Sequence, residues 1–91
     1  MTYKLIFPTP YQKREKSFLN KYPELQARYF KTLLLLEQNP HHPSLRLHPL
    51  QGRLTGLHSV SISMRYRITL ELELREQEIV FVNVGSHGEV Y

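Results

Sequence analysis

Residues 66–84 read YRITLELELREQEIVFVNV. Tyr66, Ile68, Leu70, Leu72 and Leu74 alternate strictly with Arg67, Thr69, Glu71 and Glu73, the period of two that sends successive side chains to opposite faces of a strand. One face is apolar and the other polar, as in a sheet covered by other elements on one side only. "REQ" interrupts the pattern and reads as a hairpin turn, and "IVFVNV" is apolar on both faces, as suits a central strand. The stretch predicts strands over Tyr66–Leu74 and Glu78–Val84. By parity it also puts Arg65 and Arg67 on the face turned away from the core.

Working outward from this hairpin, Leu57–Ile62 reads as a further strand and Thr2–Phe7 as a first one, with Tyr3, Leu5 and Phe7 alternating against Lys4 and Ile6. Thr9-Pro10 predicts a helix start, with Thr9 as N-cap, Pro10 at N1 and Gln12 closing a capping box, and the helix runs to about Lys21. Pro23 opens a second helix, "PELQARYFKTLLLLEQ", which Asn39-Pro40 ends. Its stripe is Leu25, Tyr29, Leu33 and Leu36, broadened by Phe30 and Leu34. A break at Tyr22-Pro23 predicts a helical hairpin. "PHHPS" is a loop, "LRLHPL" a short extended piece, and Gln51-Gly52 and Thr55-Gly56 are turns. The expected fold is α+β in the order β-α-α-β-β-β, a helical hairpin packed on one face of a small, mostly antiparallel sheet whose other face is open.

Ninety-one residues make a single domain, 1–91, with a thin core. With 41% hydrophobic and 22% charged residues the chain is globular in composition, and the absence of cysteine excludes disulfides and thiolate metal sites. No apolar run approaches the roughly 20 residues that span a bilayer and nothing resembles a signal peptide, so a soluble, cytoplasmic protein without a membrane partner is expected. The net charge of +4 is unevenly spread. Between Arg46 and Leu70 stand Arg46, Arg53, Arg65 and Arg67 without one acid, whereas Glu71, Glu73, Glu76, Glu78 and Glu89 crowd the remainder against Arg75 alone. An arginine block that also holds His48 and His58 suits a polyanion, with phosphate the first candidate.

His48 precedes a proline, which holds its backbone extended at the head of a turn. His87 follows Gly85-Ser86 at the end of the central strand, a rim position from which a loop can aim a side chain into a cleft. Histidine suits proton transfer near neutral pH. Two histidines beside Arg65 and Arg67 would serve RNA cleavage: one takes the 2′-hydroxyl proton, another protonates the leaving 5′-oxygen, and arginine stabilises the phosphate. Glu89 and Tyr91 are auxiliaries, a carboxylate to orient a histidine and a phenol to donate or stack. His41 and His42, adjacent and set between prolines, do not converge on one ion, and no metal site is expected. His58 is in phase with Val60 and Ile62 and belongs to the edge of the core.

The element order, the string "LHPLQGRLTGLHSVSI", the "YRI" after it and the closing "VGSHGEVY" resemble the RelE/ParE superfamily of toxins from bacterial type II toxin–antitoxin modules, most of all its YafQ- and YoeB-like branch. The resemblance spans nearly the whole chain. It implies a RelE-like, microbial-RNase-like fold and a metal-independent, ribosome-dependent endoribonuclease, without cofactor, that cuts mRNA in the ribosomal A site. It also implies a partner, a small helical antitoxin that folds on binding and through which alone operator DNA is contacted. Carried over position by position, His48 corresponds to the acid/base residue of the HPL motif, Arg67 to the phosphate-binding arginine and His87 to the C-terminal catalytic histidine. Arg46, Arg53, Arg65 and Tyr66 are the expected RNA- and phosphate-binding residues, Tyr66 standing where relatives carry an aromatic residue. Ser61 stands where such relatives have a further histidine, Arg65 where some have an acid, and Gly88 where others have aspartate. The acid/base set is thus thinner than the phosphate-binding set. The same fold hosts ParE-like gyrase inhibitors, which need no catalytic histidine, and a homologue that only binds its antitoxin is the third possibility.

Overall fold

The computed structural model describes residues 2–90, apart from the side chain of Glu89. The Glu89 side chain and Tyr91, both expected beside the site, lie outside the described residues. Strand β1 (Lys4–Ile6) leads into helix α1 (Thr9–Lys21), a 3₁₀ turn at Pro23–Leu25 and helix α2 (Gln26–Gln38). After a second 3₁₀ turn at Pro43–Leu45 come β2 (His48–Pro49), β3 (His58–Ser61), β4 (Tyr66–Glu73), β5 (Glu78–Ser86) and the short helix α3 (His87–Val90). Among the described residues the strands form one sheet in the order β1-β5-β4-β3-β2, parallel between β1 and β5 and antiparallel elsewhere. The expected α+β layout holds, and the "LRLHPL" piece adds the edge strand β2.

Helix α1 starts at Thr9, but the capping box does not form. Pro8 occupies the N-cap with φ −59° and its carbonyl accepts the Gln12 N–H at 3.0 Å, while Gln12 Nε2 reaches past it to the Phe7 carbonyl at 2.7 Å. Proline, with φ preset and no N–H to satisfy, displaces threonine from the cap. On α2 the stripe Leu25, Tyr29 and Leu36 is buried and Leu33 is half-buried, but Phe30 and Leu34 are exposed at 45% and 59%. The buried width is instead completed by Thr32, whose hydroxyl bonds back to the Arg28 carbonyl at 2.8 Å and so loses its polarity to the core.

The core joins Tyr11 and Phe18 of α1, Leu25 and Leu36 of the α2 region, and Val60, Ile68, Leu70, Ile79 and Phe81 of the sheet. Phe7 stacks on Phe81 with ring centroids 4.6 Å apart. Two tyrosine hydroxyls in this core are satisfied in series: Tyr29 donates to Glu15 Oε2 at 2.5 Å and meets the Tyr11 hydroxyl at 2.7 Å. Burial holds both phenols far above their ordinary range, so they remain neutral donors. Leu74, in phase with the apolar face of β4, is exposed at 61% because the chain has already entered the turn at 74–77, where Gln77 takes φ 53°.

Three features of the sheet shape its second face. Val82 is an extra residue in β5, since Thr69 pairs with Asn83 and Leu70 with Phe81; this bulge returns Val84 to the core side after it. β1 pairs only with Glu78–Val80, so β5 has an unpaired edge beyond them, and side chains blunt it: Arg14 Nη1 donates to the Val82 carbonyl at 3.0 Å and the Val84 N–H to Asn83 Oδ1 at 2.9 Å. Third, the second face is not uniformly open, contrary to expectation. Ser59 and Thr69 are buried in its middle, and α3 packs back on β4 and β5. Val90, 6% exposed, stands outside the hydrophobic cluster beneath the helices.

Candidate functional site

Register alone assembles the site. His48 pairs with Ser59, Ser59 with Thr69 and Thr69 with Asn83, so one row of four side chains crosses the second face. Two residues along, Ser61, Arg67 and Gly85 form the next row. The ladder continues one step beyond β5, where the His87 N–H donates to the Arg65 carbonyl at 3.3 Å, and Arg65 and His87 form the third row. From strand spacing and rise, the Arg67 Cα is about 12 Å from that of His48 and about 8 Å from that of His87. His48 and Arg67 therefore share one face, and His87, the first residue of α3, stands at its rim beside Arg65, with Arg67 between the two histidines.

Each member is held locally. Arg67 is half-buried, and its Nη1 donates to Ser61 Oγ at 2.9 Å, so the guanidinium leans across the strand toward the His48 side. Gly85 leaves no side chain on the other flank of Arg67. The exposed His48 ring is oriented by its own loop. Its Nδ1 lies 3.0 Å from the Arg46 carbonyl, which can only accept, so Nδ1 donates to it and Nε2 is the ring nitrogen left for another partner. Arg46 offers that carbonyl because it takes the left-handed conformation, φ 51°, at the end of the 3₁₀ turn.

The charge on β4 is graded along its length. Arg65 and Arg67 occupy one end of the second face, while Glu71 and Glu73 occupy the other, where hydrogen bonding to Glu71 and its charge hold the Glu73 carboxyl above its ordinary value. A polyanion is thus drawn to the arginine end and repelled from the far one.

The remaining expected residues are distributed around this face. His87, Arg65 and Tyr66 line one hollow of about 430 Å³ with Tyr22, Ser86 and Gly88. The Tyr66 ring packs on the helix side, 5.7 Å from Phe18 and 4.6 Å from Tyr22 between centroids. Partial burial and then the Tyr22 phenol raise the Tyr66 hydroxyl above its usual value. Arg46 is exposed beside Ser61, and Arg53 is exposed on the 3₁₀ turn Gly52–Leu54 between β2 and β3. His42 is occupied in capping the turn at Pro43–Leu45, its Nδ1 accepting from the Ser44 N–H at 3.2 Å. His58 lies on the core side next to Leu70, with its Nδ1 buried and unpartnered. Desolvation, then the nearby His41 and His48, lower its affinity for a proton. Sequence reasoning missed Ser61 as the residue that orients Arg67. Its period-2 phase with Ser59 and its place two residues inside a short hairpin were the available signals.

The fold is similar to that of several solved toxins. YafQ from E. coli strain BL21(DE3) superposes with a TM-score of 0.81 at 16% identity, covering 98% of each chain. A YoeB/ParE toxin from Agrobacterium tumefaciens gives 0.73 at 15% identity over 92% of this chain and 98% of that one. The E. coli DinJ–YafQ toxin–antitoxin complex gives 0.79 at 18% identity, covering 100% of this chain and 99% of that one. No family model matches the chain. No curated protein matches it either.

Proposed function

We propose that this protein is the toxin of a type II toxin–antitoxin module and acts as a ribosome-dependent endoribonuclease. What supports the reading is that Arg67 and His48 share one sheet face with His87 at its rim, at the cationic end of a strand whose other end is acidic. The Arg67 guanidinium holds the scissile phosphate, kept in place by Ser61. His48 Nε2 takes the proton of the adjacent 2′-hydroxyl, whose oxygen attacks phosphorus. The bond to the 5′-oxygen breaks, His87 supplies the proton to that oxygen, and the products are a 2′,3′-cyclic phosphate and a free 5′-hydroxyl. No step calls for a metal or cofactor. The two complexed neighbours, in which YafQ is bound to DinJ and YoeB to YefM, support a protein antitoxin as partner. Operator DNA would then be met only through that antitoxin, and the mRNA in the A site of a cytoplasmic ribosome.

Single-turnover cleavage on programmed ribosomes tests the reading. His48→Gln and His87→Gln keep side-chain size but cannot titrate, and each should slow cleavage by ~10²–10⁴-fold, the usual share of general acid–base catalysis, with ribosome binding retained. Variants that cut at the wild-type rate, or a wild-type protein that leaves mRNA whole while altering DNA supercoiling, would move the assignment to gyrase inhibition.

A further inference from the structure

We infer that a groove beside the proposed catalytic face is a second phosphate subsite, seating the phosphate next to the one held by Arg67; this rests on the nuclease reading above. Two contiguous hollows of about 150 Å³ each open where the end of β3 meets α2 and the turn at Pro43–Leu45. They share Arg28, Ser44, Ser61 and Ile62; Arg46 and Ser63 line the first, Lys31 and Thr32 the second. Among the described residues no Asp or Glu lines either hollow. Three cations and several hydroxyls converging in a small concavity without a carboxylate are the chemistry of phosphate recognition.

Ser61 ties this groove to the reaction. Its oxygen accepts from Arg67 Nη1 at 2.9 Å, which leaves its own O–H to donate into the hollow. Ser61 lies directly opposite Arg67 on the neighbouring strand, one strand spacing of about 5 Å away, so the groove adjoins the row of Arg67 through Ser61. Met64, 84% exposed, lines the same hollow on the β3–β4 connection and offers an apolar surface to an unstacked base. Two arginines on different elements, Arg28 from α2 and Arg46 from the loop before β2, would grip one phosphate from two sides. An extended single strand therefore fits better than an acidic peptide, which has no base for Met64.

The test pairs protein variants with neutralised RNA linkages. Messenger RNAs bearing one methylphosphonate at successive positions around the cut are placed on ribosomes and cleaved by wild-type protein and by Arg28→Gln/Arg46→Gln. Both arginines are exposed, so the fold should survive, as circular dichroism would check. Wild type should lose about ten-fold or more when the linkage adjacent to the cut is neutral. The double variant should show that loss with native RNA and little further loss with the neutral linkage, and Arg28→Lys should restore part of it. Cleavage by the variant at the wild-type rate, or equal sensitivity of both proteins to the neutral linkage, overturns the subsite. Weakened antitoxin binding with normal cleavage also overturns it and gives the groove to a protein. If wild type cuts nothing, the nuclease reading fails. The groove is then judged by binding of a short single-stranded RNA alone, where equal affinity of wild type and variant overturns it and a loss sustains it.

Discussion

Arg67 shows how much a single position asks of its neighbours. A guanidinium at the centre of a strand is useful to a phosphate only if it is neither neutralised nor free to wander, and Ser61 on one side with Gly85 on the other meets both conditions. Arg67→Ala should abolish growth inhibition without unfolding the protein, because loss of a transition-state charge contact costs on the order of 3–4 kcal/mol. Arg67→Lys should recover only part, since a point charge does not reproduce bidentate phosphate binding. Growth assays beside thermal melts check both, and a folded Arg67→Ala protein that still arrests growth would remove the residue from the mechanism. His58 makes a different demand. Its folded-state proton affinity is lowered by burial and by His41 and His48, so the unfolded chain binds the proton more tightly. Stability is therefore complete above the unfolded value of about 6.5 and falls as pH drops below it. Urea titrations between pH 7.5 and 5 should show this loss, smaller in His58→Asn; identical pH slopes would refute it.

At the scale of elements, the C-terminal segment has two duties. It carries His87 to the rim beside Arg65, and it buries Val90 where α3 packs back on β4 and β5. From the sequence, removal of residues 86–91 is expected to leave a stable domain, since the apolar run stops at Val84. The structure alters that expectation: β5 continues to Ser86 and Val90 is 6% exposed. Val90→Ala should cost about 1.5 kcal/mol at roughly 0.8 per buried methylene, and truncation after Gly85 more. Denaturant midpoints measure this, and a truncated chain as stable as wild type would show that the tail adds nothing to the fold. A point substitution at His87, not a deletion, is thus the clean probe of chemistry.

The whole molecule combines a cationic face with exposed Phe30 and Leu34 on the outer side of α2. A small partner that folds on binding could cover both, offering acidic residues to the first and an amphipathic helix to the second. Co-expression with the neighbouring open reading frame should relieve growth inhibition and yield a co-purifying complex, and unrelieved inhibition would count against the module. Among the described residues no helix is long and apolar enough to cross a membrane.

The alternation in 66–74, the glycine and proline breaks and the helical stripe around Tyr29 are local patterns, and local patterns determined the element order, the sheet's apolar side and the parity of Arg65 and Arg67. His48 and His87 stood out at turn and rim positions, and the resemblance to the toxin family linked them to Arg67 as a proposed set. What the sequence could not say is which residues become neighbours across strands. The Ser61–Arg67 bond, the row joining His48 to Asn83 and the groove between α2 and β3 depend on register and on a bulge at Val82, which are settled by the fit of all strands together. Thr9 lost its cap to Pro8, Phe30 and Leu34 stayed in solvent, and Val90 was buried where α3 meets β4 and β5 for the same reason. Burial is decided by what packs opposite a residue, and a periodic pattern names only the side on which packing can occur.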